Sequence, residues 1–293
     1  MTEDERLVAA VTGGYLPAHV RVRAGALSLH CLVWGDADAP PVLAVHGNGG
    51  HAHWWDALVP HLLPAHRLIA PDLRGHGESD WPAEPAYGIA DFSADLLAIV
   101  TQLALPPVAL IAHSMGARAA AWFAAHHAAR VRSLALLDTS IAGVDAETAA
   151  RWRGKRVGQR RGPSYPDAAA ACAAFRFVPP EPGVDAAIVA DLACHAVHQR
   201  RPGDWSFRFD RAVLSLDGDG AGDLTELVAA LRCPLWIGRG HGSRDVIPRS
   251  NFDALLARRP ELTLHDFPGA HHFFLSHPAL AGVALRAFVG RRQ

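Results

Sequence analysis

The amino-acid sequence predicts an α/β protein: a mostly parallel central sheet flanked by helices, with an inserted helical cap. Two observations carry this. Short apolar runs alternate with segments of helical periodicity up to residue 143 and again from residue 211. That is the pattern of strands joined by crossover helices. Between these halves the chain turns Arg-, Pro- and Ala-rich and loses its strand-like runs. The layout is a core over residues 1–143, a cap or lid over 144–210, and the rest of the core over 211–293.

Taken in order, Ala26–Trp34 and Pro41–His46 read as strands, the second a continuous apolar run suited to a buried central position. Arg67–Ala70 is a third, closed by Pro71-Asp72. Asp91–Ala104 has helical periodicity, Val108–Ala112 reads as strand, Met115–His127 as helix, and Arg132–Leu137 as strand. Within the cap, Ala168–Phe177 and Ala186–His198 are helical pieces punctuated by Pro179-Pro180 and Pro182-Gly183. Alternation resumes with Pro234–Gly238, Asn251–Arg258, Leu262–Phe267 and Pro278–Val289.

Composition narrows the function classes. Half of the 293 residues are hydrophobic, 19% are charged and the net charge is −1. Nothing here favours a nucleic acid or an anionic membrane as partner, and a small-molecule substrate is the expected one. The N-terminus is acidic where a signal peptide is basic, and no apolar run reaches the roughly 20 residues of a membrane span. Four scattered cysteines without C-x-x-C spacing suit a reducing compartment, so a cytoplasmic location is expected. An apolar patch on the cap offers a route to a homodimer, although no heptad or edge signal specifies one.

The chemistry begins at Val108–Gly116, Val-Ala-Leu-Ile-Ala-His-Ser-Met-Gly. A buried strand runs into Ser114 and then into a helix, the arrangement of a G-x-S-x-G nucleophile elbow with Ala112 in place of the first glycine. Small flanking residues are needed because the serine backbone is strained and strand and helix approach closely. Three further segments accompany it: His46-Gly47-Asn48-Gly49-Gly50, Pro71–Ser79 (Pro-Asp-Leu-Arg-Gly-His-Gly-Glu-Ser), and Pro268-Gly269-Ala270-His271-His272. In these four motifs and their order the chain resembles the α/β-hydrolase superfamily, over nearly its full length outside the cap.

The resemblance implies an oxyanion hole made by the backbone N–H groups of Met115 and Asn48. It implies a catalytic histidine after the Pro268-Gly269 turn. The superfamily often reads Pro-Gly-Ala-Gly-His there, and counting from Pro268 selects His272, with His271 as the alternative. Two aspartates compete for the third place. The usual turn after the cap reads Arg239-Gly240-His241-Gly242-Ser243-Arg244-Asp245, with Ser243 where the acid normally stands and Asp245 displaced by two residues. A subset of the superfamily with this pattern takes its acid from the end of the strand before the cap, which points to Asp138 over Asp245. Asp72, Arg74 and His76 are expected to tie loops together rather than to do chemistry. Among the other histidines, His51, His53, His195 and His198 show no metal-ligand constellation, and neither metal nor cofactor is expected.

The implied function is a serine hydrolase cleaving a carboxylic ester or related acyl bond. Serine at the elbow disfavours the dehalogenases and epoxide hydrolases of this fold, which use aspartate there. A carbon–carbon hydrolase of the meta-cleavage type is the enzymatic alternative. A non-catalytic small-molecule-binding protein is the alternative from another class.

Overall fold

A computed structural model describes residues 1–142, 160–214, 222–243 and 247–291. Its centre is an eight-stranded sheet built from β1 (Ala18–Ala24), β2 (Leu27–Trp34), β3 (Pro41–Val45), β4 (Arg67–Pro71), β5 (Val108–His113), β6 (Val131–Leu137), β9 (Leu235–Gly240) and β10 (Leu264–Phe267). The order is β1-β2-β4-β3-β5-β6-β9-β10, with β2 antiparallel to both β1 and β4 and every later pairing parallel.

The central strands are buried on both faces, which is why they read as unbroken apolar runs. Alternate residues of one strand serve opposite cores. Leu43, Val45, Leu110 and Ala112 face the side packed by α3 (Ile89–Gln102) and α4 (Ser114–His126). Val42, Ala44, Ala109 and Ile111 face Trp55, Leu58 and the C-terminal helix α10 (Pro278–Val289). Each fully buried Leu, Ile or Phe in these layers contributes about 1.5–3 kcal/mol.

Three elements escape the sequence reading. Helix α1 (Glu3–Thr12) is polar on most of its surface, yet it is closed by a Thr2/Glu5 capping box and by Gly13 in the left-handed region. Strand β1 alternates Val with His and Arg and buries Val22 alone. The third is a hairpin, β7 (Val197–Arg201) with β8 (Asp204–Phe207), which follows the expected helices α5 (Ala168–Ala173) and α6 (Ala186–His195) between β6 and β9. The expectation of a helical cap is therefore incomplete. Gln199 and Arg201 at exposed positions, with Arg200 and Asp204 half-buried, hid the hairpin's strand period.

The segment between β6 and β9 is fastened to the Pro71–Ser79 loop. Gly77 N–H donates to the Arg208 carbonyl at 2.7 Å, and Asp210 N–H to the Gly75 carbonyl at 2.7 Å. The fully buried Asp210 carboxylate also accepts from Tyr87 Oη and Arg160 Nε, each at 2.7 Å. Among the described residues no helix is long and apolar enough to cross a membrane.

Candidate active site

In a parallel sheet the loops that carry chemistry gather at the carboxyl ends of the strands. At the end of β5, Ser114 adopts φ +54. This left-handed conformation costs a non-glycine residue about 1–3 kcal/mol and lifts the side chain clear of strand and helix. The loop after β3 lies directly against it. A Cβ on Gly47 would stand 2.8 Å from His113 Nδ1 and 2.9 Å from Ser114 Cβ, and one on Gly116 would strike the His46 carbonyl. These two glycines let the first turn of α4 and the His46–Gly50 loop meet.

That loop is held from behind. His46 Nε2 accepts from Leu73 N–H at 3.0 Å, and His76 Nε2 accepts from Gly49 N–H at 3.1 Å. Asp72 accepts from Ala52 N–H at 2.7 Å and Glu78 N–H at 2.9 Å, and pairs with His30 at 2.8 Å. Burial alone would raise the Asp72 carboxyl, but His30 and these amides hold it below the carboxylate range. Arg74 clamps Asp95 with two bonds of 2.7 Å. Asp72, Arg74 and His76 thus brace loops, and none of them reaches Ser114.

At the end of β6 stands Asp138, fully buried and also left-handed at φ +45. Its Oδ1 accepts from Gly240 N–H at 2.8 Å, and its Oδ2 lies 2.6 Å from Nδ1 of His271. The same ring places Nε2 3.0 Å from Ser114 Oγ. The chain Ser114–His271–Asp138 is therefore continuous. Asp245 lies outside the described residues. At the end of β9, Ser243 is buried with no partner for its hydroxyl.

The expectation of His272 is corrected. This turn is one residue shorter than the superfamily's usual spacing, so the histidine that faces Ser114 comes directly after Ala270. His272 is turned inward, 2% exposed, with its ring 4.9 Å from that of Trp54 and 5.3 Å from that of Phe177. Burial, then the neighbouring His271, pushes its pKa well below the ordinary histidine value. Its backbone, however, is used. Glu181, a cap residue 7% exposed, accepts from Ala270 N–H at 2.8 Å, His272 N–H at 2.7 Å and Ser276 Oγ at 2.7 Å. One carboxylate so clamps the amides on both sides of His271. Gly269, at φ +99, leaves room for it, since a Cβ there would stand 2.8 Å from Glu181 Oε1. From the other side, His113 Nε2 donates to the His271 carbonyl at 2.8 Å.

Sequence reasoning missed Glu181, because a lone cap carboxylate between prolines carries no motif. Glu181→Ala would leave two amides and a hydroxyl without an acceptor, at about 1–3 kcal/mol for each group that stays buried. It is expected to lower kcat about 10- to 100-fold by letting His271 drift, with Glu181→Gln losing less. Steady-state kinetics and Tm on the two variants check this. Wild-type kcat in Glu181→Ala would mean that the loop holds its shape unaided.

Comparison with known proteins agrees with this architecture. The α/β hydrolase fold family matches residues 40–173. The esterase Rv0045c of Mycobacterium tuberculosis is 32% identical over 242 residues, covering 80% of this chain and 76% of that protein. Its solved structure superposes with a TM-score of 0.77 at 26% identity, covering 99% of each chain. The structure of E-2-(acetamidomethylene)succinate hydrolase gives a TM-score of 0.81 at 25% identity, covering 94% of this chain and 100% of that one. A shorter match, 37% identity over 100 residues, covers 33% of this chain and 36% of the 2-hydroxy-6-oxo-2,4-heptadienoate hydrolase of Pseudomonas putida. By its sheet, its strand-end loops and these relatives, the chain belongs to the α/β-hydrolase fold family and is a hydrolase.

Proposed function

We propose that this enzyme cleaves a carboxylic ester, or a related acyl bond, of a small molecule through an acyl-enzyme on Ser114. The observation that carries the reading is the unbroken path from Ser114 Oγ through His271 to Asp138, at 3.0 and 2.6 Å. His271 Nε2 takes the hydroxyl proton as Oγ attacks the carbonyl carbon, while Asp138 holds the Nδ1–H tautomer and steadies the imidazolium. The tetrahedral oxyanion is received by the Asn48 and Met115 N–H groups. His271 then gives its proton to the leaving alcohol. Water repeats the cycle on the acyl-enzyme and releases the acid. No step calls for a cofactor. The described residues between β6 and β9, from residue 160 onward, serve as the cap that shapes the substrate pocket.

Esterase is preferred over other acyl chemistry because the relative matched over most of its length is named an esterase. A carbon–carbon hydrolase is the second reading, resting on the shorter match to a ring-cleavage hydrolase. The test is hydrolysis of p-nitrophenyl acetate by wild type and Ser114→Ala, side by side. Serine-dependent turnover, falling by about 10⁴ or more in the variant, is the expected result. Equal rates in the two proteins would reject Ser114 as nucleophile. A serine-dependent enzyme that prefers vinylogous diketones over esters would move it to the second reading.

A further inference from the structure

A second cluster of titratable side chains lies at the seam between core and cap and shares no residue with the site above. The 3₁₀ turn Ala52–Leu58 supplies His53 and Asp56, and helix α6 supplies Asp191 and His195. The two imidazoles stack with centroids 3.5 Å apart and planes 20° apart. One nitrogen of each ring and one carboxylate oxygen of Asp191 lie within 4.8 Å of one another. Asp56 adjoins the group, its Oδ2 2.9 Å from His53 Nδ1. Asp56 and Asp191 are 1% and 0% exposed and His53 8%. The sequence sets His51 beside His53 and His195 beside His198. The fold instead joins His53 to His195.

Three carboxylate oxygens of the cluster lack a hydrogen-bond donor among the described residues. Neither oxygen of Asp191 has a hydrogen-bond donor, nor does Oδ1 of Asp56. His195 Nδ1 passes 3.3 Å from Asp191 Oδ1, but its hydrogen bond goes to the Asp191 backbone carbonyl at 2.9 Å. Among the described residues no arginine or lysine pairs with either carboxylate. Two carboxylates side by side and away from water need a shared proton or a cation.

The donor set decides which cation. His53 gives Nδ1–H to Asp56, and His195 gives Nδ1–H to a backbone carbonyl. Each bond leaves the lone pair on Nε2, as in metal-ligating histidines oriented by an outer acceptor. Imidazole and carboxylate together suit zinc-like ions better than calcium or magnesium, which take all-oxygen shells. With metal–donor lengths of about 2.0–2.2 Å, tetrahedral donors stand about 3.4 Å apart. To share such an ion the stacked rings must slide apart from their 3.5 Å centroid spacing until their Nε2 atoms reach that value.

We propose that His53, Asp191 and His195 bind a single divalent first-row transition ion of the zinc class, with Asp56 orienting His53. The ion would pin cap helix α6 to the turn that carries Trp54, which packs on His272.

The test is calorimetric titration of Zn²⁺ into tag-free protein stripped with chelator, using wild type, His195→Gln, Asp191→Asn and His271→Ala. One ion per wild-type chain is expected, with a Kd of about 1 μM or tighter. Affinity should fall at least about 100-fold in His195→Gln and Asp191→Asn and stay unchanged in His271→Ala. No binding at about 100 μM Zn²⁺ would overturn the proposal. Binding that survives His195→Gln and disappears in His271→Ala would overturn it too, by placing the ion on His113, His271 and His272. Should the cap variants fail to fold, wild type still decides. Saturating Zn²⁺ should raise its Tm by about 5 °C, and an unchanged Tm would reject the site.

Discussion

His271→Ala is expected to lower kcat by about 10⁴–10⁶, whereas His272→Ala should keep turnover within about tenfold of wild type. The two residues are adjacent and chemically identical, so composition and crude proximity cannot separate them. Orientation does. His271 bridges Ser114 and Asp138, while the His272 ring is packed against Trp54 and Phe177 and its Nδ1 has no partner. A histidine held well below its ordinary pKa by burial is also a poor proton acceptor for a serine. His272→Ala removes buried ring volume, so its cost should appear in Tm rather than in kcat. Asp138→Asn completes the comparison and should cost up to about 10⁴, since it disturbs the tautomer His271 needs. The measurement is kcat on one activated ester for the three variants. Collapse of His272→Ala with survival of His271→Ala would reverse the assignment.

The second large effect is acid lability. His76, His113 and His272 are 0–2% exposed, and burial is the leading cause that lowers the pKa of each. His76 falls to about 3. In the native state these rings stay neutral as pH falls through about 6.5, while the unfolded chain takes up a proton at each. The unfolded state then binds more protons, so stability present above about pH 6.5 is lost below it. Each proton is worth up to about 1.4 kcal/mol per pH unit, and three of them give roughly 4 kcal/mol between pH 6 and pH 5. Against a typical total of about 5–15 kcal/mol, the protein should unfold near pH 5, above the range in which carboxylates titrate. Urea unfolding of metal-free protein from pH 8 to pH 5 measures this. A midpoint that stays flat between pH 7 and pH 5 would contradict it.

Much of this was legible in the sequence, for identifiable reasons. The central strands are buried on both faces, so their apolar runs could not be mistaken for surface. Ser114 was legible because an elbow needs small neighbours and a strand–helix junction, and Asp138 because it closes the strand before the cap. What stayed hidden depended on direction or on distant partners. Whether His271 or His272 faces the serine is set by a turn of one residue fewer, which spacing alone could not settle. The cap hairpin was masked by polar and charged residues at its exposed and half-buried positions. Glu181 and the His53–His195 stack exist through contacts across the chain that no local pattern encodes.

The Glu181 clamp changes what the cap is for. A lid that touched only substrate could be exchanged among relatives like an interchangeable part, leaving the chemistry intact. Here the segment between β6 and β9 supplies a brace for the loop that carries His271. On the function proposed above, evolution or engineering can reshape that segment only around a fixed point. Grafting a foreign cap that lacks an acid at this place would deliver new substrates to a slackened histidine.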